Sequence, residues 1–229
     1  MKIIESQDLT NKIYDAIRQR TQKERTGCHL SDLIYCNYKF FFRKTRKDLP
    51  PISNEQAMLF WSGYALQYFL KPFQATIPHH IDDIYLTPDI ENAYFLDFYI
   101  PLAEVKTTRV NMARFDPSSK TVNHYIEQMM GYSKALDTNI AYLIVFFACG
   151  SYNPPFPSLK TWQFEFTKEE INKKWEEILG RRDVLDRAIK DLSLPTPHFM
   201  AFKKECDYCE LVDICDGQKD YENSLRLDL

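Results

Sequence analysis

The stretch from Thr87 to Lys106, TPDIENAYFLDFYIPLAEVK, decides the fold. Segments around 83–90 and 94–106 read as paired strands, with Glu91 and Asn92 as the turn between them. Residues i and i+2 of a strand project from one face, so Glu104 and Lys106 share a side. Asp89 follows a proline across the turn and is the carboxylate expected to join them, because Asp97 falls inside the second segment, too close to Glu104 along the chain. Two carboxylates and an ammonium at one point suit a hard divalent ion, which prefers oxygen ligands and relieves the repulsion between the anions. The chemistry such a set serves is metal-assisted phosphodiester hydrolysis. By itself a spaced D…E-x-K set is also what an ordinary solvated strand carries, so its meaning depends on the rest of the chain.

After the stretch, a loop holding Asp116 and Pro117 leads to a helix from about 122 to 136, whose His124, Gln128 and Tyr132 are four apart and line one face. The apolar run 140–147 reads as a central strand buried on both faces, and 161–166 as an alternating strand beyond a loop with Pro154, Pro155 and Pro157. Thr167 and Glu170 form a capping box for a helix to about 192. Before the stretch, a polar helix spans about 8–25. Ser31 caps a helix carrying Cys36, Phe40 and Arg43, and Ser53 and Gln56 open an apolar helix to about 69, ended by Pro72. The order predicts a mixed α/β fold, a small sheet flanked by helices, in one domain.

Beyond a linker at Leu194–Pro197, Cys206, Cys209 and Cys215 form a C-x2-C-x5-C loop, and one more thiolate completes a tetrahedral set. Cys36 is the candidate, with Cys28 as a competitor; Cys149, at the end of an apolar strand, reads as a buried structural thiol. Zinc and a cubane iron-sulfur cluster both suit this spacing. Either would join segments some 170 residues apart, a structural role whose loss unfolds the C-terminal region first.

The 229 residues carry 45% hydrophobic and 27% charged side chains, the balance of a globular protein rather than a disordered one. A net charge of −3 gives no global basic field for nucleic acid, although the run Arg43-Lys44-Thr45-Arg46-Lys47 can neutralise phosphates locally or serve as a solvated helix end. The N-terminus lacks a signal-peptide core and no apolar run reaches membrane-span length, so an intracellular, cytoplasmic location without membrane contact is expected. In a reducing compartment the six cysteines are read as metal ligands before disulfides.

Together these residues resemble the RecB-like iron-sulfur nucleases of the PD-(D/E)xK superfamily, and among them the CRISPR-associated protein four family. The matching order is Cys36, Pro88-Asp89, Glu104-Val105-Lys106, Gln128-x3-Tyr132, then Cys206, Cys209 and Cys215. The resemblance implies a restriction-endonuclease-like core over about 53–192. It also implies a cluster subdomain from about 28–48 plus 195–229, within a single nuclease domain over 1–229. It further implies a [4Fe-4S] cluster on the four cysteines and Mg²⁺- or Mn²⁺-dependent cleavage of DNA, typically single-stranded and exonucleolytic. Gln128 and Tyr132 then position substrate, and Asp89, Glu104 and the Val105 carbonyl hold the ion. A CRISPR-adaptation or recombination partner is expected, in a host cell if the chain is virus-encoded. One position departs from the family: where its G-x3-H pattern has histidine, Gly63-Tyr-Ala-Leu-Gln67 has glutamine, with Glu55, His79 or His80 as substitutes. That departure supports the alternative of a weakly active or inactive protein that binds DNA or a partner.

Overall fold

The computed structural model describes residues 7–21, 25–70, 77–148, 157–201 and 203–217. Pro72, Cys149, Pro154 and Pro155 lie outside the described residues, as does the side chain of Gln67. The central sheet has four strands: β4 (Ile90–Phe95), β5 (Phe98–Thr108), β6 (Ile140–Phe147) and β7 (Ser158–Glu165), side by side in that order. β4 and β5 are antiparallel, β5 and β6 parallel, β6 and β7 antiparallel. A smaller sheet joins β1 (Cys28–His29), β3 (Ile84–Leu86) and β2 (His79–Ile81). Helices accompany them: α1 (Gln7–Thr21), α2 (Leu30–Ile34), α3 (Asn37–Thr45), α4 (Asn54–Leu70), α5 (Asn123–Leu136) and α6 (Lys168–Asp191). Short 3₁₀ turns lie between them, and the chain is helical again over 212–217. This is the expected class, a small mixed sheet flanked by helices.

Alternation along the strands divides the interior. Leu102, Leu143, Val145 and Phe147 face the larger core, where Met129 and Tyr132 of α5 and Trp175, Ile178 and Leu185 of α6 meet Leu30, Leu33 and Phe42. Ile90, Ala93, Ile100, Ala103, Val105 and Ile144 form a smaller cluster on the other face. β6, between two partners, carries the continuous apolar run expected of a central strand.

Three local expectations are corrected. The segment 83–90, expected to pair with 94–106, supplies β3 (Ile84–Leu86) to the smaller sheet, and the strand that pairs with β5 starts only at Ile90. The hairpin turn is Leu96–Asp97, since Phe95 pairs with Phe98 and Tyr94 with Tyr99, so Glu91 and Asn92 lie within β4 and Asp97 is at the tip. Asn92 does take the left-handed conformation that marks turns, φ +45°, but it falls opposite Pro101, which has no N–H to offer the ladder, and the strand continues past it. The helix expected to begin at Ser31 and carry Cys36 is two helices. Asp32 Oδ2 accepts the His29 N–H at 2.9 Å, and α2 is capped at His29, two residues before Ser31. The Cys36 N–H then turns away to Glu205 Oε1, 3.0 Å, and breaks the helix before α3.

The capping boxes at Ser53/Gln56 and Thr167/Glu170 form as read. No described helix is long and apolar enough to cross a membrane.

Candidate active site and cysteine centre

Ile90 pairs with Ala103, so one further step of the β4–β5 register sets Asp89 opposite Glu104. The ladder ends there, leaving the Val105 N–H without a strand partner on that side, and Asp89 Oδ2 accepts it at 2.9 Å. In an extended strand the carbonyl projects to the same edge as the N–H of its residue, so the Val105 carbonyl is directed to the edge where Asp89 sits. Glu104 and Lys106 share the opposite face of β5 from Val105 and touch through Oε1 and Nζ. Lys106 Nζ also donates to Gln128 Oε1 at 3.3 Å, and Gln128 Nε2 donates to the Tyr132 hydroxyl at 2.8 Å. The four-residue spacing on α5 thus becomes one chain of contacts reaching down to the sheet.

Glu104 is 1% exposed, and its Oε2 has no hydrogen-bond partner among the described residues. Burial first, then the charge of Asp89, push its carboxyl up to about 8, with Lys106 pulling the other way. Burial works to lower the Lys106 ammonium, yet Glu104, Tyr35 and Asp89 together hold it well above the usual lysine range, so it stays charged. A buried carboxylate oxygen without a donor, beside a second carboxylate, fits a divalent cation: one or two carboxylates, with carbonyl and water oxygens, is how Mg²⁺ is commonly held. Among the described residues no group of three or more His, Cys, Asp or Glu is arranged to hold a metal ion, which leaves this pair to be completed by oxygens of other kinds.

Three aromatic residues around Lys106 were missed as site residues. Its ammonium lies 5.0 Å from the Tyr125 ring centroid, and the buried Tyr35 hydroxyl, pushed up to about 12 by burial, feels the charge of Lys106. His124 packs against both rings, 5.4 Å from Tyr35 and 4.0 Å from Tyr125, and burial and then Lys106 lower it to about 4. Tyr125 stands three residues before Gln128, a helical spacing that could have found it. Tyr35 sits in the break between α2 and α3 and gave no signal.

The substitutes considered for the missing histidine are engaged elsewhere. His79 Nε2 is 2.5 Å from Glu91 Oε2, and His80 stacks on Tyr85 at 4.4 Å. Glu55 is exposed and lines a shallow pocket with Cys209 and Glu210.

That pocket borders the cysteines. Cys36 occupies the N-terminal cap position of α3, and burial pushes its thiol up to about 11, while the backbone N–H groups of Lys39 and Tyr38 act to lower it. Cys209 lies near enough for its charge to raise Cys36, and Cys206 raises Cys209 in turn. Cys215, like Cys209, packs against the main core. In donor type the four half-buried cysteines fit a thiolate-held group, though among the described residues no three of them are arranged to hold a single metal ion. Cys28 is apart from them: its thiol, pushed up to about 12 by burial, has Asp32, Asp186, Lys44 and Arg182 as charged neighbours.

The C-terminal segment is fastened to α3. Asn37, fully buried, donates Nδ2 to the Pro197 carbonyl at 3.0 Å and its N–H to that of Phe199 at 3.2 Å, and its Oδ1 accepts the Phe199 N–H at 3.2 Å. Glu205 accepts from the Cys36 and Ala201 N–H groups, and Glu210 pairs with Lys39 and Arg43, 2.8 Å each.

No family model and no curated protein match the chain. Among solved structures it is similar to SSO0001, with a TM-score of 0.55 and 14% identity over 92% of this chain and 97% of that one, a likeness of fold. Looser overlaps are with an alkaline exonuclease from Laribacter hongkongensis, TM-score 0.35, 13% identity, 83% of this chain and 86% of that one. A phage-related exonuclease from Haemophilus somnus 129PT gives TM-score 0.37 and 12% identity over 84% and 92%.

Proposed function

We propose that the protein is a metal-dependent deoxyribonuclease that hydrolyses phosphodiester bonds, with a structural [4Fe-4S] cluster. The observation that carries the reading is Glu104 Oε2, buried and without a hydrogen-bond partner among the described residues, beside Asp89 and on one face with Lys106. Asp89, Glu104 and the Val105 carbonyl hold Mg²⁺ or Mn²⁺, which when bound polarises the scissile phosphate and lowers the pKa of an attacking water. Asp89 Oδ2 accepts the Val105 N–H, which orients that carboxylate toward the end of the β4–β5 ladder. Lys106, kept charged by its carboxylate neighbours, stabilises charge that develops on the phosphate. Gln128 steadies the ammonium through Oε1, and Tyr132 steadies Gln128.

The preference for single-stranded DNA, exonuclease polarity with endonuclease cleavage beside it, and a CRISPR-adaptation or recombination partner follow from the motif resemblance. So do the assignment of Cys36, Cys206, Cys209 and Cys215 to the cluster and the division into a core of about 53–192 and a subdomain of 28–48 plus 195–229. The docking of the C-terminal segment on α3 through Asn37, Glu205 and Glu210 supports that division. A second reading, a weak or inactive protein that retains DNA or a partner, is favoured by Gln67 standing at the family's histidine position.

Labelled single-stranded DNA incubated with Mn²⁺ separates the two. The parent is expected to cut, and Asp89→Ala and Glu104→Ala to lose at least ~100-fold, more than the loss of an outer-shell partner costs a metal site, with no loss of folding. Cleavage by Asp89→Ala at the parental rate overturns the assignment. Retention of DNA by the parent without cutting selects the second reading.

A further inference from the structure

We infer that His198 belongs to the cysteine centre, as the imidazole that donates its Nε2 hydrogen to the Cys36 sulfur and so sets the electron affinity of the group held there. The inference rests on the iron-sulfur reading above. His198 Nε2 lies 3.5 Å from Cys36 Sγ, within reach of an N–H···S bond. Its placement is fixed from several sides. Asn37, the residue after Cys36, grips the residues flanking the histidine, Pro197 and Phe199, through the three hydrogen bonds described above. The imidazole stacks on Tyr38, the next residue again, with centroids 3.9 Å apart and planes 26° from parallel. On the other side Arg181 lies over the Phe199 ring at 5.0 Å.

Both the backbone and the ring plane of His198 are therefore set by residues immediately following the cysteine it faces. Once Cys36 is deprotonated to hold a metal group its sulfur is an acceptor alone, which selects the tautomer carrying hydrogen on Nε2. Hydrogen bonds to cluster sulfurs stabilise the reduced, more negative state and are among the factors that set its potential. The backbone N–H groups of Tyr38 and Lys39 face the same sulfur, so His198 is the side-chain member of a donor set at the start of α3. None of the four-cysteine spacing calls for a histidine here; the fold supplies it.

The test uses the whole chain purified without oxygen, in parental, His198→Phe and His198→Gln forms. Iron and acid-labile sulfide are quantified, and the midpoint potential is read by optical redox titration. Phenylalanine keeps the stack on Tyr38 and removes the donor; glutamine restores an N–H. The expected result is full iron in all three, a more negative potential for the phenylalanine variant and partial return for glutamine. Loss of iron in the phenylalanine variant that glutamine restores also supports the donor role. A full cluster with an unmoved potential in His198→Phe overturns it. Loss of iron in both variants makes the imidazole a ligand and overturns it as well. A parent without iron and sulfide overturns the cluster reading together with this inference, so the two failures are told apart.

Discussion

At Glu104 the fold holds a carboxyl group where keeping a proton is easier than losing it. Folded Glu104 titrates near 8, whereas an unfolded glutamate titrates near about 4.3. Between those values the folded state binds a proton that the unfolded chain has released. The stability contribution of this group is therefore fully present below the unfolded value and falls as pH rises toward the folded one. In EDTA, denaturant unfolding at a series of pH values from 5 to 9 is expected to show a decline on the order of a few kcal/mol, flattened in Glu104→Gln and by added Mg²⁺, which replaces the proton. Parallel profiles for parent and Glu104→Gln would contradict the assignment. The residues of this site were partly legible: the two-residue spacing put Glu104 and Lys106 on one face, and the four-residue spacing joined Gln128 to Tyr132. The surroundings that perturb them were not. Tyr35 faces Lys106 from the break between α2 and α3, and nothing in its local sequence announces that.

Elements were read best where a period ran long. β6 runs for 8 residues and α6 for 24 of one pattern, and their ends fall within three residues of the expected ones. The hairpin shows the reverse. Asn92 has the backbone conformation its identity suggests, but the turn belongs to Leu96, a residue with no turn preference, held at φ +56° by the register of Phe95 with Phe98. Tertiary pairing overrode local propensity there, and the corrected register is what puts Asp89 opposite Glu104. The seating of α5, which carries Gln128, depends on Gly131. A Cβ built on it lies 2.6 Å from Leu30 Cδ2, and Leu30, itself 1% exposed, has no room to withdraw. Gly131→Ala is expected to cost about 1–3 kcal/mol in denaturant unfolding, the range for an overpacked core. An unchanged midpoint would mean that α2 and α5 can separate freely.

For the molecule as a whole, the segment opening α3 and the segment after Leu194 meet at Asn37, and this was the least legible feature of all. A lone asparagine in a run of aromatic and basic residues gives no hint of partners 160 residues away. Asn37→Ala removes the side-chain partners of the Pro197 carbonyl and the Phe199 N–H, each bond worth about 0.5–1.5 kcal/mol. The expected outcome is release of the segment after Leu194, read as selective proteolysis there while the sheet stays resistant. Cleavage spread evenly over the chain, or none beyond the parental level, would show that Glu205 and Glu210 hold the segment without it.

The Asn37 clasp is made of amides and carbonyls alone, and needs no metal to form. It tethers the loop of Cys206 and Cys209 near Cys36, so that their effective concentration is set by a short leash rather than by a search across most of the chain. On the proposed iron-sulfur reading, loading would be a chelation in which the chain entropy has already been lost, at a rate that follows delivery of iron and sulfide rather than folding.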